Sequence, residues 1–212
     1  MRQDAGAPNS ANGTQAPACA AGDTLTALRR ATREHHAELE RRLPPSAIAA
    51  SPAAYQRILA AFFGFYEPLE ERIRRAEPPL DASARQKTPA LRADLAALGK
   101  TPAELDALSR CDDGPDPGSP AEALGCAYVV EGATLGGQII ARHVRARLGL
   151  GPNTGALFFS GYGRQTGTRW REFVAIIERH VAHPDRARAG RAARDTFVSL
   201  TRWLETRSVL DE

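Results

Sequence analysis

Tyr128-Val129-Val130-Glu131-Gly132-Ala133-Thr134-Leu135-Gly136-Gly137-Gln138-Ile139-Ile140 places three glycines within six residues, in a segment that otherwise reads as one long helix over residues 121–149. Glycine inside a helix costs on the order of 1 kcal/mol relative to alanine, so a compensation is expected. Gly132 and Gly136 are four residues apart and Gly137 is one further on, which leaves a strip without side chains on one face. Such a strip lets a flat ligand or a second helix touch the main chain, and it permits local bending. A nucleotide-binding loop does not fit, because no strand precedes the segment and the GxGxxG spacing is absent. The spacing fits ligand contact and close helix packing alike.

Outward from that helix, the pattern stays helical. Downstream, Gly149 and Gly151 close it, and Asn153 to Gly167 is loop-like apart from a short Ala156–Phe159 piece. Helices resume over about 168–181 and 184–207. Upstream, Asp112 to Pro120 (DDGPDPGSP) is a loop by composition. Thr101-Pro102-Ala103-Glu104 opens a short helix, and Leu91, Leu95 and Leu98 mark another that ends at Gly99. A longer helix begins after Ser51-Pro52 and carries Tyr55, Ile58, Leu59, Phe62, Phe63, Tyr66 and Leu69 at three-and-four spacing. Pro68 is expected to kink it. The first helix runs from an N-cap at Asp23 or Thr24 to about Leu43, where Pro44-Pro45 stop it. No period-two alternation bounded by turn residues reads as a strand. The expectation is an all-α domain over residues 23–207, with a disordered N-terminal tail at 1–22 and a C-terminal tail at 208–212.

Composition agrees with a single folded domain. The chain has 212 residues, 42% of them hydrophobic and 25% charged, enough to bury a sizeable core. The formal charge is only +3, carried by arginine, too small an excess to indicate a nucleic-acid partner. Cys19, Cys111 and Cys126 are odd in number and widely spaced, which excludes a disulfide scaffold and disfavours a cysteine-rich zinc site. No run approaches 18 consecutive apolar residues, and the N-terminus lacks the apolar stretch of a secretory signal. These features point to a cytoplasmic protein with no membrane span.

The first helix is the second place where chemistry could sit. In Leu28-Arg29-Arg30-Ala31-Thr32-Arg33-Glu34-His35-His36-Ala37-Glu38-Leu39-Glu40, the His pair lies on or beside the inward stripe of Leu25, Leu28, Thr32, Leu39 and Leu43. Glu40 stands one turn after His36, placed to accept from one imidazole nitrogen and make the other a better ligand. Arg33 and Arg29 precede His36 by three and seven residues on the same face. A neutral histidine with cations one and two turns away suits an iron ligand beside an anionic cofactor. Spacing alone is equally compatible with a half-solvated His pair among ordinary charge pairs.

A third segment, Phe158 to Arg171, is a glycine- and aromatic-rich loop leading into a helix with Arg169 and Arg171 in its first turns. It could wall a pocket, with either arginine reaching an acid group, or be an ordinary surface loop. His143 and the His180/His183 pair lack a supporting carboxylate cluster. Glu70–Arg75 and Arg186–Arg194 read as solvated helix faces.

Together these segments resemble the heme oxygenases, in their bacterial form. The proximal pattern L-[KR]-x-A-T-[KR]-x-x-H-x-x-x-E is met in register by Leu28, Arg29, Ala31, Thr32, Arg33, His36 and Glu40, and the register selects His36 over His35. The distal pattern G-x-x-x-G-G-Q is met by Gly132, Gly136, Gly137 and Gln138. The resemblance spans roughly residues 23–207 and implies the family's all-α fold, with heme held between the first helix and the glycine-rich helix. His36 would ligate the iron with Glu40 behind it, and the backbone of Gly132, Gly136 and Gly137 would lie against the other heme face. Arg29, Arg33 and Arg171 would be candidates to pair with the propionates. The implied reaction uses dioxygen and an external electron donor, such as a reductase or ferredoxin. It converts heme, both cofactor and substrate, to biliverdin, carbon monoxide and ferrous iron. The sequence departs from the family at Ala133, where many members place an Asp that organises distal waters. That departure keeps a non-enzymatic heme carrier or sensor on the same fold as the alternative.

Overall fold

The computed structural model describes residues 22–210 and is helical throughout, with no strand among the described residues. Most of the expected tail at 1–22 and the end of that at 208–212 lie outside the described residues. The elements are α1 (Asp23–Arg42), α2 (Pro45–Ile48), α3 (Pro52–Arg75), α4 (Thr88–Ala97), α5 (Pro102–Asp106), α6 (Pro120–Leu148), α7 (Leu157–Ser160), α8 (Thr166–His180) and α9 (Arg186–Thr206).

Several boundaries follow from chemistry within four residues of the helix end. Ser51 Oγ accepts from Ala54 N at 3.1 Å, and Ser119 Oγ from Glu122 N at 3.3 Å, each with proline in the first turn. Thr101 and Glu104 form a reciprocal capping box at α5. Gly149 closes α6 in the left-handed region at φ 70°.

Two expectations are corrected. α1 is not capped by Asp23 or Thr24: Gly22 precedes it with φ 107°, and the free N–H groups of Thr24 and Leu25 donate to the Glu178 carboxylate of α8 at 3.1 and 2.9 Å. Pro45 ends α1 as expected and, lacking an N–H, also opens the short α2. α3 is one continuous helix through Pro68. The carbonyl that Pro68 cannot serve, that of Gly64, accepts instead from Cys111 N at 2.9 Å. The chain lies so close there that a Cβ on Gly64 would stand 2.3 Å from Ser109 O, so only glycine fits.

Close backbone crossings organise the core. α6 packs on α9 at Gly125, where a Cβ would meet Ala189 O at 2.2 Å, and α1 crosses α9 where Gly190 faces the Ala31 methyl. α6 is long and apolar enough to cross a membrane by length and composition, but over half of that stretch is buried inside the protein. Asp94 of α4 ties α7 to this core: its carboxylate accepts from Leu157 N at 2.7 Å and Phe158 N at 2.8 Å. Phe158 and Phe159 are thereby fixed against Phe62 and Tyr66 of α3, with ring centroids 5.4–6.1 Å apart.

Candidate functional site

α1 and α6 stay apart along part of their length, and a cavity of about 390 Å³ lies between them. Its walls are mainly apolar: Leu39, Leu43, Ile48, Phe62, Val129, Val130, Ile140, Phe158, Phe159, Trp170, Phe197 and Leu200 all border it. That volume and lining are typical of a small-molecule or cofactor site. Leu135 also borders it while remaining 41% exposed, apolar surface of the kind a hydrophobic ligand would cover.

The cavity brings together Arg29, His36 and Glu40 of α1 with Gly132, Ala133, Gly136 and Gly137 of α6. His36 Nδ1 stands 3.3 Å from Glu40 Oε2, and the ring meets the Phe197 edge at a centroid distance of 5.6 Å. With Nδ1 engaged by the carboxylate, Nε2 is the nitrogen left to bind a metal. His35 does not border the cavity. Neither do Arg33 and Arg171, both exposed; Arg171 Nη2 donates to Thr168 Oγ1 at 3.0 Å.

The three glycines, alike in the sequence, separate here. Gly136 has no atom within 4 Å of an added Cβ, so a side chain there would enter open space bordering the cavity. At Gly132 the Cβ would make ordinary contact with Trp170 at 3.9 Å. At Gly137 it would stand 2.9 Å from Phe159 O, so this glycine allows α7 to approach α6. Ligand contact and helix packing, left open by the spacing, thus apply to different residues of one strip. We expect Gly137→Ala to destabilise the fold by about 1–3 kcal/mol in urea denaturation, as overpacking does. Gly136→Leu should leave the apo protein near wild-type stability while blocking the cavity to hemin, read as loss of the Soret shift. The reverse pattern would make Gly136 the packing residue.

Sequence reading missed a buried polar cluster around Glu131 of the glycine helix, whose Lys87 borders the cavity. Glu131, 2% exposed, accepts from Arg85 Nη1 at 2.5 Å, Lys87 Nζ at 2.6 Å and Tyr162 Oη at 2.7 Å. Lys87 Nζ also donates to Tyr162 Oη at 2.7 Å and to Arg85 O, so all three of its protons are engaged. Glu70 holds the same segment through Lys87 N at 2.5 Å and Thr88 Oγ1 at 2.6 Å. Burial pushes the Lys87 ammonium below its ordinary range, against the pull of Glu131 and Glu70. The available signal was Glu131 itself, a charge in the apolar run Tyr128-Val129-Val130, which demands a buried partner.

Two hydroxyl-bearing residues at the cavity differ in availability. Thr134 Oγ1 donates to Glu131 O of its own helix at 2.7 Å. Tyr66 Oη has no hydrogen-bond partner among the described residues; burial first, then Glu70 and Glu131, keeps its pKa above the ordinary phenol range. Gln138 points elsewhere, donating to Gly163 O at 3.3 Å.

Fold and cavity define an all-α protein built around an internal apolar ligand site that offers one carboxylate-backed imidazole. The sequence matches the family model for heme oxygenase over residues 23–206. It is 34% identical over 172 residues to heme oxygenase PigA of Pseudomonas aeruginosa PAO1, covering 78% of this chain and 83% of the relative. The fold is similar to that of the heme oxygenase from Neisseria meningitidis, with a TM-score of 0.71, 21% identity and coverage of 87% and 91% of the two chains. It is also similar to heme oxygenase-1 from the cyanobacterium Synechocystis in complex with heme, with a TM-score of 0.68, 14% identity and the same coverage. The chain belongs to the heme oxygenase family.

Proposed function

We propose that this chain binds heme in the cavity between α1 and α6 and cleaves it, with dioxygen and reducing equivalents, to biliverdin, carbon monoxide and ferrous iron. One observation carries the reading: His36, backed by Glu40, and the open face of Gly136 border the same apolar cavity. The name of the P. aeruginosa relative and the heme in the Synechocystis structure support it. Heme bound there supplies an iron that activates dioxygen and a porphyrin that is itself oxidised.

The chain's own residues bind, orient and exclude. Glu40 Oε2, 3.3 Å from His36 Nδ1, would orient the imidazole and leave Nε2 as the nitrogen to hold the iron. Gly136, open on the cavity side, and Gly132 on the same strip would let the α6 backbone lie against a flat ligand, while Gly137 lets α7 close on α6 beside them. Phe158, Phe159 and Phe62 keep bulk water from the interior end of the cavity. With Ala133 offering no acid, Tyr66 holds a proton within the cavity, its phenol kept neutral by burial. Electrons reach the site from an external reductase or ferredoxin.

Arg29 stands at the cavity and pairs with a propionate; Arg33 and Arg171, exposed and outside the lining, act at longer range. Exposed pairs of this kind are weak. Arg29→Ala/Arg33→Ala is therefore expected to weaken heme binding only several-fold and to change regiochemistry more, giving mixed biliverdin isomers by chromatography. An unchanged single isomer at unchanged affinity would place the propionates elsewhere, with Arg171 the next candidate.

Hemin titration followed by ascorbate-driven turnover tests the proposal. A stoichiometric Soret shift, then Soret loss with growth of a biliverdin band, is the expected result. A Soret band that persists under turnover would favour the heme carrier or sensor that Ala133 makes possible. No Soret shift at all would reject heme binding.

A further inference from the structure

On the far side of the α1–α9 crossing from His36 lies a second concavity, a groove of about 720 Å³ bordered by Arg30, Arg186, Arg191 and Arg194, with His183 and one carboxylate, Asp23. From this groove we infer a binding site for a small phosphoryl compound carrying two or more negative charges, separate from the heme cavity. Its floor is made of small residues, Ala27, Ala31, Ala187 and Gly190, where the two helices cross at their backbones. A compact ligand can therefore reach the helix surface between arginine walls.

The charge balance sets the ligand's charge. Arg186 is held by Asp23 at 3.3 Å and by Thr24 Oγ1 at 3.2 Å, and Arg194 pairs with Asp195 at 2.8 Å. Arg30 and Arg191 are exposed and have no ion-pair or hydrogen-bond partner among the described residues, which leaves two guanidiniums to be matched. Asp185, the N-cap of α9, serves that helix end and pairs with Arg188 at 3.8 Å, and neither borders the groove, so Arg30 and Arg191 keep their charge unmatched. An anion in the groove would relieve their mutual repulsion. Four of the bordering side chains are arginine, whose planar fork matches phosphoryl oxygens in pairs, and the concavity suits a small molecule better than a flat protein face.

Isothermal titration of the full-length chain with inorganic pyrophosphate at fixed ionic strength tests the inference, and its outcome does not depend on heme binding. Saturable one-to-one binding is expected, weakened at least about tenfold in Arg30→Gln/Arg191→Gln. Arg145→Gln/Arg147→Gln, two exposed arginines at the far end of α6, should leave it unchanged, with thermal melts showing both variants folded. Non-saturable binding, equal loss in both variants, or citrate bound as tightly as pyrophosphate would overturn the proposal. The first two would make the groove solvated charge only, and the third would make its ligand a carboxylate.

Discussion

His36→Ala is expected to abolish the imidazole-type electron paramagnetic resonance signal of the ferric heme complex, whereas His35→Ala leaves it in place. The two histidines are neighbours on α1, but only His36 borders the cavity and has its Nδ1 on Glu40. Removing the imidazole leaves heme held by apolar burial and propionate contacts, so an association survives with an altered spectrum. Added imidazole should restore the signal by entering the space the side chain vacates, which separates loss of a ligand from loss of the fold. Glu40→Ala should have a smaller effect, roughly tenfold at most in heme affinity, because the pair is solvated in the free protein. If His35→Ala alone removed the signal, the ligand assignment would be wrong.

Glu131→Leu should give the largest loss of stability. The carboxylate pairs with both Arg85 and Lys87, whose side chains are 8% and 7% exposed, so leucine would leave Lys87 without its ion-pair partner and Arg85 with only the half-exposed Glu172 at 3.5 Å. Breaking a buried pair in this way costs about 3–5 kcal/mol, a large fraction of the roughly 5–15 kcal/mol that holds a domain together. The pH dependence has a definite sign. Burial already lowers the Lys87 pKa in the folded chain, and loss of Glu131 removes the main opposing attraction. Between that lowered folded value and the ordinary lysine value the unfolded state binds more protons, so the variant's stability should rise with pH through this window. Urea denaturation at several pH values reads both effects; a loss below about 1 kcal/mol with no such slope would mean the cations find other partners or water.

How much of this was legible follows from the sequence distance between partners. The all-α class, the long glycine-bearing helix and the helix starts at Ser51 and Thr101 rest on periodicity or on contacts within one turn, and they appear where expected. The cap on α1 comes from Glu178, 154 positions from Thr24, and no local pattern announces it. The same holds for Cys111 serving the carbonyl that Pro68 leaves free, and for Arg85 and Lys87 meeting Glu131. At the site, the register of Leu28 to Glu40 marked His36 and Glu40, and the structure places them together at the cavity. The glycine motif marked a strip but not the division of labour within it, because which glycine faces Phe159 and which faces open space depends on where α7 docks. Arg33 and Arg29 share a helical face by spacing, yet only Arg29 borders the cavity.

Heme cleavage in the cavity between α1 and α6 is decided by product analysis after aerobic turnover of the reconstituted heme complex. Biliverdin is expected by chromatography and mass spectrometry, with carbon monoxide in equal amount and iron that a ferrous chelator captures. Recovery of intact heme, or a ring-opened product formed without carbon monoxide, would contradict it.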